Sequence, residues 1–158
     1  MLDRIWGRVE KVESKLRNRF GNSIDTPWQR FLSHVHFQLM DHGFLRVLWT
    51  NFYQFSPNAF RSNQPSPRRL KKYKELGVKT IINLRGTPKQ SHYLFEQEAC
   101  DALGLVLINC SMLARACTPK KHFIELFDYF DKIEGPFVLH CKSGADRASI
   151  AAAFYQIY

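Results

Sequence analysis

Residues 137–149 read FVLHCKSGADRAS, and this stretch decides how the rest of the chain is read. Phe137, Val138 and Leu139 make the short apolar run expected of a strand buried on both faces. The run stops at His140 and Cys141. A loop of Lys142, Ser143, Gly144 and Ala145 follows, and a helix with Asp146 and Arg147 in its first turn comes next. A strand that turns tightly into a helix brings loop N–H groups and the helix N-terminus to one point, which makes a socket for a tetrahedral oxyanion. Gly144 permits the turn. The planar fork of Arg147 can hold two phosphate oxygens. Cys141 lies at the floor of the socket, where a positive field favours the thiolate, its nucleophilic form. A thiolate beneath a bound phosphate is placed for in-line attack on phosphorus, which explains a Cys at one end of the loop and an Arg at the other.

Upstream, strand and helix patterns alternate. Ala59–Ser62 is a short strand candidate. PSPRRLKKYKELG is a helix opened by Ser66-Pro67 and closed by Gly77. VKTIINLRG is a β-branched strand ending at Arg85-Gly86, SHYLFEQEACDALG a helix closed by Gly104, and LVLINC the next strand. TPKKHFIELFDYFDKIEG places Phe123, Leu126, Phe127 and Phe130 on one helical side, PFVLHC returns to strand, and GADRASIAAAFYQIY ends in helix. The alternation predicts an α/β fold: a central, mostly parallel sheet flanked by helices, with the loop of 142–145 as a strand–loop–helix site. Two domain-level segments follow, an N-terminal helical segment over 1–55 and the α/β unit over 56–158. In the first, Leu2, Ile5, Trp6, Val9, Val12, Leu16 and Phe20 recur at helical spacing, and Thr26-Pro27 opens a second helix running to about Met40. DHGFLRVLW and NFYQFSPNAF read as aromatic-rich connections.

HCKSGADR, with its C-x5-R spacing and His140 before the cysteine, resembles the signature loop of the cysteine-dependent protein tyrosine and dual-specificity phosphatases. FRSNQPSPRRLKKYKELGVKTIINLRG, residues 60–86, looks like the opening of the small bacterial dual-specificity-like branch. The resemblance covers residues 56–158. It implies that Cys141 is a nucleophile forming a phosphocysteine, that Arg147 clamps the phosphate, and that His140 orients the loop and helps keep the thiolate. Lys142, Ser143, Gly144 and Ala145 would line the phosphate socket, and no cofactor is implied.

Three positions depart from that pattern. The family's acid is usually an Asp on a loop well upstream of the cysteine, but CSMLARACTP, residues 110–119, contains no Asp or Glu. Asp146 is the remaining candidate, because the C-x4-D-R form resembles myotubularin lipid phosphatases and a group of bacterial phosphatases in which the loop Asp is the proposed acid. A solvated partner for a basic neighbour is the plainer role for Asp146. Ala148 stands where the family usually has a Ser or Thr hydroxyl that assists the breakdown of phosphocysteine. The chain also stops at Tyr158, where the family continues with covering helices. It reads as a fragment, or as a fold in which the N-terminal segment substitutes for those helices.

The formal charge of +9 and pI near 9.6 favour an anionic partner. Lys142, the RRLKKYK patch over 68–74, and Arg85 and Arg115 at the carboxyl side of the sheet suit a phosphoinositide, another phospholipid or an inositol phosphate as well as a phosphoprotein. A solvated helix face is the plainer reading for RRLKKYK, and for the two arginines structural salt bridges stand level with substrate contact. No nucleic-acid recognition motif accompanies the charge, so no nucleic-acid partner is expected. Cys100, Cys110, Cys117 and Cys141 form no CxxC pair, which argues against structural zinc and a disulfide framework and fits a reducing, cytoplasmic setting. The amphipathic N-terminus could rest on an anionic membrane surface, although packing on the domain is the more ordinary use of such a helix. Phosphomonoester hydrolysis is the expected function. The alternative is an inactive phosphate-binding module, supported by the acid-free loop and Ala148.

Overall fold

The computed structural model describes residues 20–158, so the amphipathic helix read over 2–20 lies outside the described residues except for Phe20. Helix α1, Pro27–Val35, begins with a reciprocal cap. The Thr26 hydroxyl accepts the Gln29 N–H at 3.2 Å, and the Gln29 side chain accepts the Thr26 N–H at 3.1 Å. Pro27 sits in the first turn, where no N–H is needed. The chain continues through a wider helical turn, His36–Met40, and delivers Asp41 to the end of the sheet.

Five strands make one sheet: β1 Tyr53–Ser56, β2 Ala59–Asn63, β3 Thr80–Asn83, β4 Val106–Asn109 and β5 Phe137–Cys141, in the order β1-β2-β5-β3-β4. Only β1 runs antiparallel to its neighbour, so the sheet is mostly parallel, as expected. Every residue of the two central strands β3 and β5 is buried, which is why these two read as unbroken apolar runs. The linking helices are α2 Pro67–Glu75, α3 Ser91–Leu103 and α4 Lys120–Lys132, and α5 Asp146–Ile157 follows β5. Strand β1 lies in the segment read as a connection. Its Tyr53 and Gln54 are exposed on the sheet edge, so the strand carries no apolar alternation to announce it. The sheet therefore begins at Tyr53.

Two apolar layers cover the sheet. Ile82, Leu84, Phe137 and Leu139 face α4 and α5 with Leu126, Phe130, Ala148 and Ala151. Ile81 and Val138 face α2 and α3 with Leu70, Tyr73 and Cys100. The alternation of neighbouring residues between layers is the two-residue period of a strand. Among the described residues no helix is long and apolar enough to cross a membrane.

The ring of Phe137 is enclosed by Tyr155 at 5.2 Å, Phe130 at 6.2 Å and Phe55 at 6.3 Å between centroids. Phe137→Ala should cost about 3–5 kcal/mol, and Phe137→Leu well under half of that, read from urea unfolding midpoints. Equal losses would mean that the ring is not packed as described.

Candidate active site

The period of β5 sorts the two residues at its end. Cys141 shares a face with Phe137 and Leu139, toward α5, and His140 shares a face with Val138, toward α3. Beyond them the loop lies against β2. The Asn51 side chain donates to the Ser143 carbonyl at 2.6 Å, Arg61 donates to the Gly144 carbonyl at 2.9 Å, and the Gln64 N–H donates to the Lys142 carbonyl at 3.3 Å. In a planar trans peptide the C=O and the following N–H point in opposite directions. Tying three successive carbonyls outward therefore turns the N–H groups of 143, 144 and 145 inward. The Gly144 N–H does reach Sγ of Cys141, at 3.2 Å, while that of Ala145 makes a longer contact to Ser143 Oγ, at 3.4 Å. Gly144 has φ +75°, and a Cβ there would lie 2.5 Å from the Asn63 nitrogen and 2.7 Å from the Ser62 carbonyl carbon. Backbone cannot yield as a side-chain tip does, so only glycine fits.

Arg147, half-buried in the first turn of α5, sends Nη1 toward the carbonyls of Leu84 at 3.4 Å and Met112 at 3.3 Å. Both bonds are long and neutral, so the guanidinium keeps capacity for an anion. Burial draws its pKa down from the ordinary value, and Cys141 opposes that shift. The thiols of Cys100 and Cys110 are each pushed up to about 12, chiefly by burial, and stay protonated and inert. Lys142 lies beside the socket with Nζ 3.7 Å from Asp41 and 3.5 Å from His42 Nδ1. Asp146 is exposed and lines an outer groove with Asn51, Arg61 and Ser149. Ala148 is fully buried against the core. Of the two arginines expected at the mouth, Arg85 is committed to Asp41 and Gln64, and Arg115 is exposed on the 110–119 loop.

A buried polar chain runs behind the loop. His140 Nε2 lies 2.6 Å from Oε1 of Glu96 on α3. The other Glu96 oxygen accepts from Gln64 at 3.1 Å, and Gln64 Oε1 accepts from Arg85 at 2.8 Å. Arg85 then grips both oxygens of Asp41 at 2.7 and 3.1 Å, and Asp41 also pairs with buried Arg46 at 2.8 Å. Burial alone would raise the pKa of Asp41. The hydrogen bonds and charge of Arg85, with the fields of His92 and Arg46, outweigh burial and hold the carboxyl well below the usual range. His92 is pulled down to about 3, first by burial and then by Arg85.

Sequence reasoning missed Asp41, His92 and Glu96. Glu96 carried a signal: with His92 and Cys100 it recurs every fourth residue on the buried face of α3. A carboxylate at such a position needs a buried partner. Asp41 carried none, because it sits in an irregular connection whose fold depends on the pairing itself.

No protein-family model matches the chain, and no curated protein sequence does. Solved structures do. TpbA from P. aeruginosa superposes with a TM-score of 0.53 at 23% identity, over 68% of this chain and 63% of that one. A DUF442 protein from Shewanella putrefaciens CN-32 gives 0.61 at 19% identity, over 71% and 74%. The core catalytic domain of the PP-IP phosphatase Siw14 from S. cerevisiae gives 0.55 at 18% identity, over 65% and 62%. The match thus spans less than two thirds of the TpbA and Siw14 chains. The fold is that of these proteins, in agreement with the fold class expected from the loop.

Two outcomes test the buried chain. Asp41→Asn leaves Arg46 and Arg85 buried without their anion and should cost about 3–5 kcal/mol in urea unfolding. A cost under ~1 kcal/mol would mean that the pairs are solvated. Neutral His92 gives a stability contribution that is whole above the unfolded pKa of ~6.5 and is lost as pH falls toward the folded value of about 3. Over that window the native protein should lose up to about 1.4 kcal/mol per pH unit relative to His92→Leu. Parallel stability curves for the two proteins would show that His92 protonates freely in the fold.

Proposed function

We propose that the chain hydrolyses phosphomonoesters through a covalent intermediate on Cys141. The observation that carries this reading is the outward anchoring of the 142–144 carbonyls, with the Gly144 N–H on the sulfur and Arg147 beside it. A phosphate in the socket would be held by those N–H groups and by the guanidinium. The Cys141 thiolate attacks phosphorus, the P–O ester bond breaks, and the leaving oxygen takes a proton from Asp146. Water then attacks the phosphocysteine, Asp146 takes up a proton, and inorganic phosphate leaves with the thiolate restored. His140, braced against Glu96, acts as a positioning residue for the loop. No metal or cofactor is required in this scheme.

A phosphorylated protein, a phosphoinositide or an inositol phosphate each fits a socket ringed by Lys142 and Arg147. Among proteins of similar fold, Siw14 is described as a PP-IP phosphatase, and a TpbA variant has been solved in complex with phosphotyrosine. A cytoplasmic setting with contact to an anionic membrane surface suits the net charge of +9 and the exposed Trp28, Phe31, Val47 and Leu48.

Hydrolysis of an activated aryl phosphate, which needs little help from an acid, should be abolished in Cys141→Ser and reduced by at least about a hundredfold in Arg147→Ala. A folded protein that binds phosphate without turnover would leave an inactive binding module. Asp146→Asn should slow an alkyl phosphate by about 100- to 10,000-fold and barely affect the activated aryl ester. Equal losses on both substrates would remove Asp146 from the acid role.

A further inference from the structure

A cavity of about 460 Å³ lies between the N-terminal segment and the start of α2, with Gln64 among its lining residues. Phe37 and Val47 give it an apolar wall. Arg46, Arg68, Arg69 and Lys72 give it a cationic one, and no carboxylate lines it.

Two of these cations are incompletely used. Arg46 is only 6% exposed. Its terminal nitrogens are committed to Asp41, but its buried Nε has no partner. Arg69 spends Nη2 on Ser62 Oγ, on the Asn63 carbonyl and side-chain oxygens, and on the Gln64 carbonyl, all of them neutral, and its buried Nε is also unpartnered. Buried donors are costly to leave unmade. The charge count points the same way. Arg46, Arg69 and Arg85 are three cations, and the carboxylate that pairs with them, Asp41, is shared by Arg46 and Arg85. Besides burial, Arg85 and Arg69 both draw the pKa of Arg46 down, so these guanidiniums lie within each other's fields. Helix α2, nine residues long, starts at the same cavity, and its Ser66 hydroxyl caps none of its N–H groups. The positive end of the helix therefore adds to the cationic wall.

We propose that this cavity is a second anion site, separate from the Cys141 socket, which takes the phosphate of an organic phosphate whose apolar part rests on Phe37 and Val47. Arg46 and Arg69 supply the charged inner wall, and Arg68 and Lys72, exposed at the rim, supply the field that draws the anion in. The phosphate comes from a membrane phospholipid or from a free phosphorylated small molecule. The site does not depend on turnover at Cys141.

The test is titration calorimetry on the full chain carrying Cys141→Ser and Arg147→Ala, so that the catalytic socket is silenced. The probes are dioctanoyl phosphatidic acid below its micelle concentration, glycerol 3-phosphate, and dioctanoylglycerol, which lacks phosphate. One equivalent of the phosphatidic acid should bind, dioctanoylglycerol should not, and Arg68→Glu with Lys72→Glu should weaken binding by about tenfold or more. Val47→Asp, at a position 79% exposed, should weaken it independently if the double variant unfolds. Glycerol 3-phosphate binding within about tenfold of the lipid would identify a free phosphate as the source. A larger preference for the lipid, with recruitment to vesicles containing phosphatidic acid, would identify the headgroup. No binding to the socket-silenced protein, or binding indifferent to both sets of cavity variants, would overturn the proposal.

Discussion

The end of β5 sets the constraint on which the site depends. Two adjacent residues of an extended strand must point to opposite faces, and here they are a histidine and a cysteine. Cys141 turns toward α5 and the loop. His140 turns into the layer under α3, where burial of an imidazole is costly, and its Nε2 comes within 2.6 Å of Glu96 while no hydrogen bond from the described residues reaches Nδ1. Glu96 in turn requires a donor and finds Gln64, whose other end receives Arg85. Each link answers a desolvation problem created by the one before. The series stops at Asp41, which Arg85 and Arg46 share. A strand period of two thus ties the Cys141 loop to a segment a hundred positions earlier, since Lys142 also approaches Asp41.

The same logic separates what was legible in the sequence from what was not. Strands β3 and β5 were legible because burial on both faces leaves an uninterrupted apolar run, and the helices because their ends carry Pro, Gly and periodic apolar residues. The Cys141–Arg147 loop was legible because few structures need those residues at that spacing. Strand β1 was hidden by its exposed edge. Arg85 was placed at the right end of the sheet with a structural salt bridge as one of its two readings, but the partner that makes the bridge, Asp41, was not foreseen. Local pattern reports local structure. A pairing between position 41 and position 85 leaves no periodic trace in either segment.

The pairing also changes what the N-terminal segment is for. It reads as an appendage to an α/β unit, yet Asn51 holds the Ser143 carbonyl and the carbonyls of Thr50 and Trp49 receive the backbone and side chain of Asn63. Asn63 pairs with Cys141 in the β2–β5 register. The segment therefore braces the strand next to Cys141 and the loop beyond it, and Arg46, paired with Asp41, also lines the cavity at α2.

Three carboxylates of the described residues stand close enough to the loop to matter for proton transfer, and their surroundings divide the work. Glu96 is 1% exposed and lies under His140, in the layer opposite Cys141, so a leaving oxygen above the sulfur is out of its reach. Asp41 lies nearer the mouth, beside Lys142, but two guanidiniums hold it ionised, and an acid that has no proton at neutral pH cannot supply one. Both are tied to buried partners. Asp146 alone is exposed, sits in the loop's own helical turn and is bound to neither buried arginine. A carboxylate so placed is free to approach a leaving oxygen above the loop, a freedom the two buried groups have exchanged for holding the loop in shape.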